Sequence, residues 1–134
     1  MNPIYLRAMN CVILYLSLAF VAVSIFAADR IEGRVEGGGQ SIARANVSLW
    51  LTGSDAPQKL AETKTNNDGR FDLTIGSEND PGGVLYLIAR GGEAKAGTGK
   101  GSNSAITLMA TLGTTPPQRV TINELTTVAS AWTA

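Results

Sequence analysis

Short runs in which every second residue is apolar recur along this chain, and they indicate a β-structure. The clearest runs cover residues 30–36, 45–52 and 70–75. Side chains of a β-strand point alternately to its two faces, so a period of two is typical of a strand with one face buried and one face in water. Clusters rich in glycine or proline separate the runs. The pattern therefore predicts a chain built mainly of short strands.

The same alternation predicts which side chains form the core. The inward set is Ile31, Gly33, Val35, Val47, Leu49, Leu51, Phe71, Leu73 and Ile75. Residues 84–90 are apolar at nearly every position, which is typical of a strand covered on both faces. Weaker strands are predicted at 59–65, 106–112 and 119–122. We therefore predict an all-β fold, an antiparallel β-sandwich of about seven strands with a short C-terminal helix.

The strongest turn signal is Asn66-Asn67-Asp68-Gly69. Asp-Gly tolerates positive φ, so the segment predicts a tight hairpin between the strands on either side of it. Asn67, Asp68 and Gly69 are the predicted structural turn residues. Residues 91–104 contain five glycines and no large apolar side chain, and they predict a long surface loop.

The N-terminus has the layout of an export signal. A polar start with the single charge of Arg7 precedes the uncharged, apolar run 11–26 and the small pair Ala27-Ala28. This order predicts a signal peptide over 1–28, cleaved after Ala27 or Ala28, and a mature protein that is secreted, periplasmic or at the cell surface. An uncleaved anchor helix is the alternative, in which the signal also holds the protein to the membrane.

The end of the chain changes period. Leu125, Val128, Ala129 and Trp132 are spaced i, i+3, i+4 and i+7, which places them on one face of a helix. We predict a β-sandwich domain over 29–122 and an amphipathic helical tail over 123–134. Thr121 and Glu124 fit a capping box. The apolar face of this helix is expected to pack back onto the sheet, near Tyr86 and Ile88.

Composition excludes several kinds of chemistry. The chain has no histidine, and its single cysteine, Cys11, lies in the predicted signal. A mature protein without thiol or imidazole cannot carry Cys–His or Ser–His–Asp catalysis or a zinc site built from N or S ligands. We predict no metal, no cofactor and no catalytic residues. The 11 basic and 11 acidic residues form no basic block, so nucleic acid is not an expected partner.

Three segments occur in an order that resembles a known family. They are Ile31-x-Gly33-x-Val35, Ile42-Ala43-x-Ala45-x-Val47-x-Leu49 and Thr65-Asn66-x-Asp68-Gly69-x-Phe71-x-Leu73. In this order they resemble the carboxypeptidase regulatory-like domain, a transthyretin-like or prealbumin-like β-sandwich, over residues 30–90. The resemblance implies a spacing or binding module without an activity of its own. In the tail, residues 101–109 and 123–130 are similar to a segment of larger secreted bacterial proteins, which implies that this chain is the first part of a longer one.

Aromatic side chains with a polar group are the candidate binding residues. Outside the signal these are Trp50, Tyr86 and Trp132. Such side chains anchor protein partners or stack on sugar rings. The predicted function is a non-catalytic, exported module that spaces domains or binds a protein partner or neighbouring domain. The alternative is a carbohydrate-binding or accessory domain of a larger secreted enzyme.

Overall fold

A computed structural model describes residues 29–53, 55–76, 82–94 and 101–133. The predicted signal peptide, including Ala27 and Ala28, lies outside the described residues. Within them the chain forms nine strands and one helix, α1. Their bounds are β1 Asp29–Gly37, β2 Gln40–Ala43, β3 Asn46–Leu51, β4 Gln58–Lys64, β5 Arg70–Ile75, β6 Leu85–Arg90, β7 Glu93–Ala94, β8 Thr107–Gly113, β9 Arg119–Ile122 and α1 Glu124–Trp132.

The strands form two sheets that face each other. The five-stranded sheet has the order β5-β1-β2-β7, with β9 paired to β1, and the four-stranded sheet has the order β4-β3-β6-β8. The pairs are antiparallel except for β1 and β9, which are parallel. The predicted all-β sandwich with a short C-terminal helix is confirmed.

The core lies between the two sheets and uses the inward positions that the alternation predicts. Val35, Val47 and Leu49 have no exposed surface, and Ile31 and Leu73 are buried as well. Both sheets contribute to one continuous apolar cluster: Ile31, Val35, Ile42, Phe71, Leu73 and Ile122 from one, and Val47, Leu49, Leu85, Leu87, Ala89 and Leu108 from the other. Burial of these side chains is the main favourable term in the stability of the fold.

The turn at 66–69 forms, but the predicted hairpin is wrong. Strand β4 belongs to the four-stranded sheet and β5 to the five-stranded sheet, so the turn carries the chain from one sheet to the other. Asn66 Oδ1 accepts hydrogen bonds from the backbone N–H groups of Asp68 and Arg70, each at 2.9 Å. Gly69 has φ +73° and lies against the carbonyl oxygen of Val35. Asn67, Asp68 and Gly69 thus form a structural corner.

Two short strands were not predicted. Strand β2 follows the turn at Gly38 and Gly39, and its partner β7 occupies Glu93–Ala94, inside the segment predicted to be a loop. Gly92 precedes β7 with φ +96°, and a Cβ on it would lie 2.7 Å from the carbonyl oxygen of Ala43. The sequence of β2, Gln-Ser-Ile-Ala, does not alternate between apolar and polar residues, and β7 has two residues, too few to show a period. No helix in the described part of the chain is long and apolar enough to cross a membrane.

Candidate functional site

Helix α1 begins at a capping box different from the predicted one. Asn123 is the N-cap, and its Oδ1 accepts a hydrogen bond from the Thr126 N–H at 2.9 Å. Thr126 Oγ1 in turn accepts one from the Asn123 N–H at 2.9 Å. The prediction of Thr121 and Glu124 as the box was wrong because Thr121 is the third residue of β9. An asparagine at the N-cap accepts hydrogen bonds from the free N–H groups of the first helical turn, as a threonine there would.

The helix docks on the sandwich through hydroxyl groups. Strand β8 is an edge strand of the four-stranded sheet, so its outer backbone groups have no partner strand among the residues that the structure describes. The Met109 N–H donates to Thr127 Oγ1 at 2.9 Å, and the Met109 carbonyl accepts from Thr126 Oγ1 at 2.9 Å. The Thr111 N–H donates to Ser130 Oγ at 2.8 Å. These side chains take the place of a neighbouring strand.

Ser130→Ala is expected to lower the free energy of unfolding by about 1–2 kcal/mol, because it leaves the Thr111 N–H without a partner. Ser130 is 4% exposed, so water has little access to the gap. Urea unfolding measures the loss, and the exposed neighbour Ala131→Ser is the control, with an expected change within about 0.5 kcal/mol. An unchanged midpoint for Ser130→Ala would show that the hydroxyl does not hold the helix.

The apolar side of α1 faces the solvent. Leu125 is 78% exposed, Val128 57% and Trp132 86%, and Ala129 is exposed beside them. We call these four residues the α1 stripe. The prediction that this face packs onto the sheet was wrong: the helix docks where β8 needs hydrogen-bond partners, and only its Thr and Ser side supplies them.

The first turn of α1 is tied to a second part of the fold. Glu124 accepts a hydrogen bond from the Gly38 N–H in the turn between β1 and β2. This backbone hydrogen bond lowers the pKa of Glu124 from its ordinary value. Glu124 is the sole charged residue of the helix, and it is not part of the α1 stripe. The stripe therefore carries no charge.

The structure brings two of the three candidate binding residues together. Trp50 on β3 and Tyr86 on β6 are directly paired, on the outer face of the four-stranded sheet. Both are half-buried, and Trp50 Nε1 donates to Ser48 Oγ at 2.8 Å. Trp132 does not cover this pair, since it stands exposed on α1. The described residues thus carry two aromatic surfaces, one on a sheet face and one on a helix.

Neither surface contains a metal site within the described residues, since no group of three or more Asp, Glu, His or Cys side chains lies close enough to hold a metal ion.

The comparisons with known proteins show distant structural similarity. No protein family matches this chain, and no curated protein matches it either. Among solved structures, a 9R-lipoxygenase from Cyanothece PCC8801 is similar over 72% of this chain, with 12% sequence identity and a TM-score of 0.47. The similar region covers 16% of the lipoxygenase chain.

Proposed function

We propose that this chain is a non-catalytic, exported β-sandwich module that binds a protein partner through helix α1. One observation carries the proposal: the helix is fixed to β8 by Thr126, Thr127 and Ser130 and turns its α1 stripe outward. Scattered apolar residues are normal on a protein surface, but a contiguous row of them marks an interaction site.

The spacing of the stripe suits a helix bound in a groove. Leu125, Val128, Ala129 and Trp132 lie at i, i+3, i+4 and i+7, the positions that anchor an amphipathic helix in the apolar groove of a partner. The nine residues of α1 span about 14 Å. Because the capping box and β8 hold the helix in place, its folding does not have to be driven by binding.

The size of the stripe favours a grooved protein over a second copy of this chain. A buried tryptophan contributes about 150–250 Å², and the other stripe residues are smaller. A stable dimer buries about 800 Å² on each subunit, more than this stripe offers to another convex helix. A groove encloses both flanks of the helix as well and so buries a larger area.

Composition and resemblance support two further parts of the proposal, namely that the module is non-catalytic and that it is exported. The chain has no histidine, its one cysteine lies in the predicted signal, and 1–28 has the layout of an export signal. The resemblance to carboxypeptidase regulatory-like domains suggests the same kind of role, a spacing or binding module within or beside a larger secreted protein.

The test is to identify the partner by its dependence on the stripe. A photo-crosslinking side chain at Val128 captures the partner in the native source, and the binary complex is then rebuilt from purified proteins. Trp132→Ala is expected to weaken binding about 30-fold, the loss of about 2 kcal/mol typical of a central aromatic anchor. Val84→Ala is the control, since Val84 is exposed but lies outside the stripe.

Two results would overturn the proposal. In one, Trp132→Ala and Leu125→Ser leave the affinity of the rebuilt complex unchanged. In the other, sedimentation shows a dimer of this chain that Trp132→Ala dissociates, which makes a second copy the occupant of the stripe.

A second candidate function is favoured by the paired Trp50 and Tyr86. Two aromatic side chains that are neighbours on one sheet face form a surface on which sugar rings stack. In this case binding to an insoluble polysaccharide depends on Trp50 and not on Trp132. Pull-down with cellulose or chitin of the variants Trp50→Ala and Trp132→Ala separates the two functions.

A further inference from the structure

An open depression of about 780 Å³ lies on the solvent face of the five-stranded sheet, away from α1 and from the Trp50–Tyr86 pair. Its floor is formed by β1, β5 and β9, and the end of β4 closes one corner. Four basic and two acidic side chains line it: Arg34, Lys64, Arg70, Arg119, Glu32 and Asp72.

The basic side chains come from separate strands, and two of them are register partners. Arg34 on β1 is directly opposite Arg70 on β5. Arg119 on β9 is opposite Glu32, one row along the same face. Like charges directly opposite each other on an antiparallel pair are destabilising. The pairing of Arg34 with Arg70 therefore destabilises the protein when no ligand is bound.

The carboxylates around the depression are already engaged. Arg30 forms ion pairs with both Glu32 and Asp72. Among the residues that the structure describes, Glu36 is the one acidic partner of Arg34, with its Oε1 3.1 Å from Arg34 Nε, and this buried Nε makes no hydrogen bond to any of them. Within the described residues, Arg70 and Arg119 form no ion pair. Two of the four basic side chains of the depression, Arg70 and Arg119, are thus without an ion-pair partner in this part of the chain.

We propose that this depression binds an oxyanion: a sulfate, phosphate or carboxylate group. A guanidinium presents its N–H donors in a planar fork that matches two oxygens of such a group. An anion between Arg34 and Arg70 turns their mutual repulsion into attraction to a shared ligand. The depression is open and much larger than one ion, so it also accepts an oxyanion carried on a saccharide. This proposal is independent of partner binding at α1.

The test is an NMR titration of the mature protein with sodium sulfate against sodium chloride at equal ionic strength. Sulfate is expected to shift the amide signals of Arg34, Arg70 and Thr121 to saturation. The double substitution Arg70→Gln with Arg119→Gln is expected to weaken sulfate binding by about tenfold or more. Arg90→Gln, on an exposed arginine of the opposite sheet, is the control and keeps the affinity of the original protein.

A second measurement keeps the proposal testable if the double variant folds poorly. In chloride alone, Arg70→Gln is expected to raise the melting temperature, because it removes the like-charge pair. In sulfate, that variant is expected to gain less stability than the original protein. A sulfated disaccharide, compared with inorganic sulfate at equal sulfate concentration, shows whether a free ion or a saccharide-borne group binds more tightly.

Shifts that are equal in sulfate and chloride would overturn the proposal. So would saturable binding that the double variant retains at full affinity.

Discussion

Phe71→Ala is expected to lower the free energy of unfolding by about 3–5 kcal/mol, the usual cost of removing a buried aromatic ring. Phe71 is 5% exposed and points into the core from β5. Its ring lies across Gly33 of β1: a Cβ on Gly33 would be 2.4 Å from Phe71 Cζ. The ring thus fills the space that a larger residue at 33 would occupy.

Urea denaturation of both proteins measures this loss. Thr74→Ala, on the exposed face of the same strand, is the control and is expected to change stability by no more than about 0.5 kcal/mol. A loss below about 1 kcal/mol for Phe71→Ala would contradict the register of β5 on β1. Gly33→Ala provides a further check, because its clash with the ring makes it less costly when Phe71 is already alanine.

Thr65→Val is expected to cost about 2–4 kcal/mol, although the two side chains have nearly the same shape. Thr65 is 3% exposed. Its Oγ1 accepts a hydrogen bond from the Ala45 N–H and donates one to the Ile42 carbonyl, both at 2.8 Å. Valine removes the hydroxyl and leaves both backbone groups buried without a partner. Each such group costs about 1–3 kcal/mol.

Thr65→Ser is the matched comparison, because it keeps the hydroxyl and loses only a methyl group. Thermal unfolding is expected to rank Thr65→Ser well above Thr65→Val in stability. If valine proved as stable as serine, the two hydroxyl hydrogen bonds would add nothing net. The link between the β2–β3 connection and the end of β4 would then rest on packing and on the backbone hydrogen bonds that Thr65 makes with Arg44 and Ala45.

Alternation along the sequence predicts the strands whose two faces differ. Strands β1, β3 and β5 have mainly charged or polar residues on one face and core residues on the other. The order of residues within each strand is therefore enough to predict that strand. The partners of these strands are not a local property. The turn at 66–69 has the same chemistry whether the next strand pairs with the previous one or crosses to the other sheet, and here it crosses.

The surroundings of the candidate sites could not be predicted from the local sequence either. The i, i+3, i+4, i+7 spacing of the α1 stripe indicates a helix correctly, but it contains no information on which side docks. The docking surface is the backbone of β8, which selects Thr127 and Ser130. The basic depression is assembled from β1, β5 and β9, so that Arg34, Arg70 and Arg119 become neighbours only after the sheet forms.

The way α1 covers β8 also protects one sheet edge against aggregation. An exposed strand edge is a template for a strand of another copy, and proteins protect such edges. Here the protection at β8 is a short helix held by a few hydroxyl groups and one cap. A local opening that releases α1 bares the backbone of Met109 and Thr111 without unfolding the sandwich. Aggregation that begins at this edge is then expected to follow the free energy of that opening, not the global stability of the core.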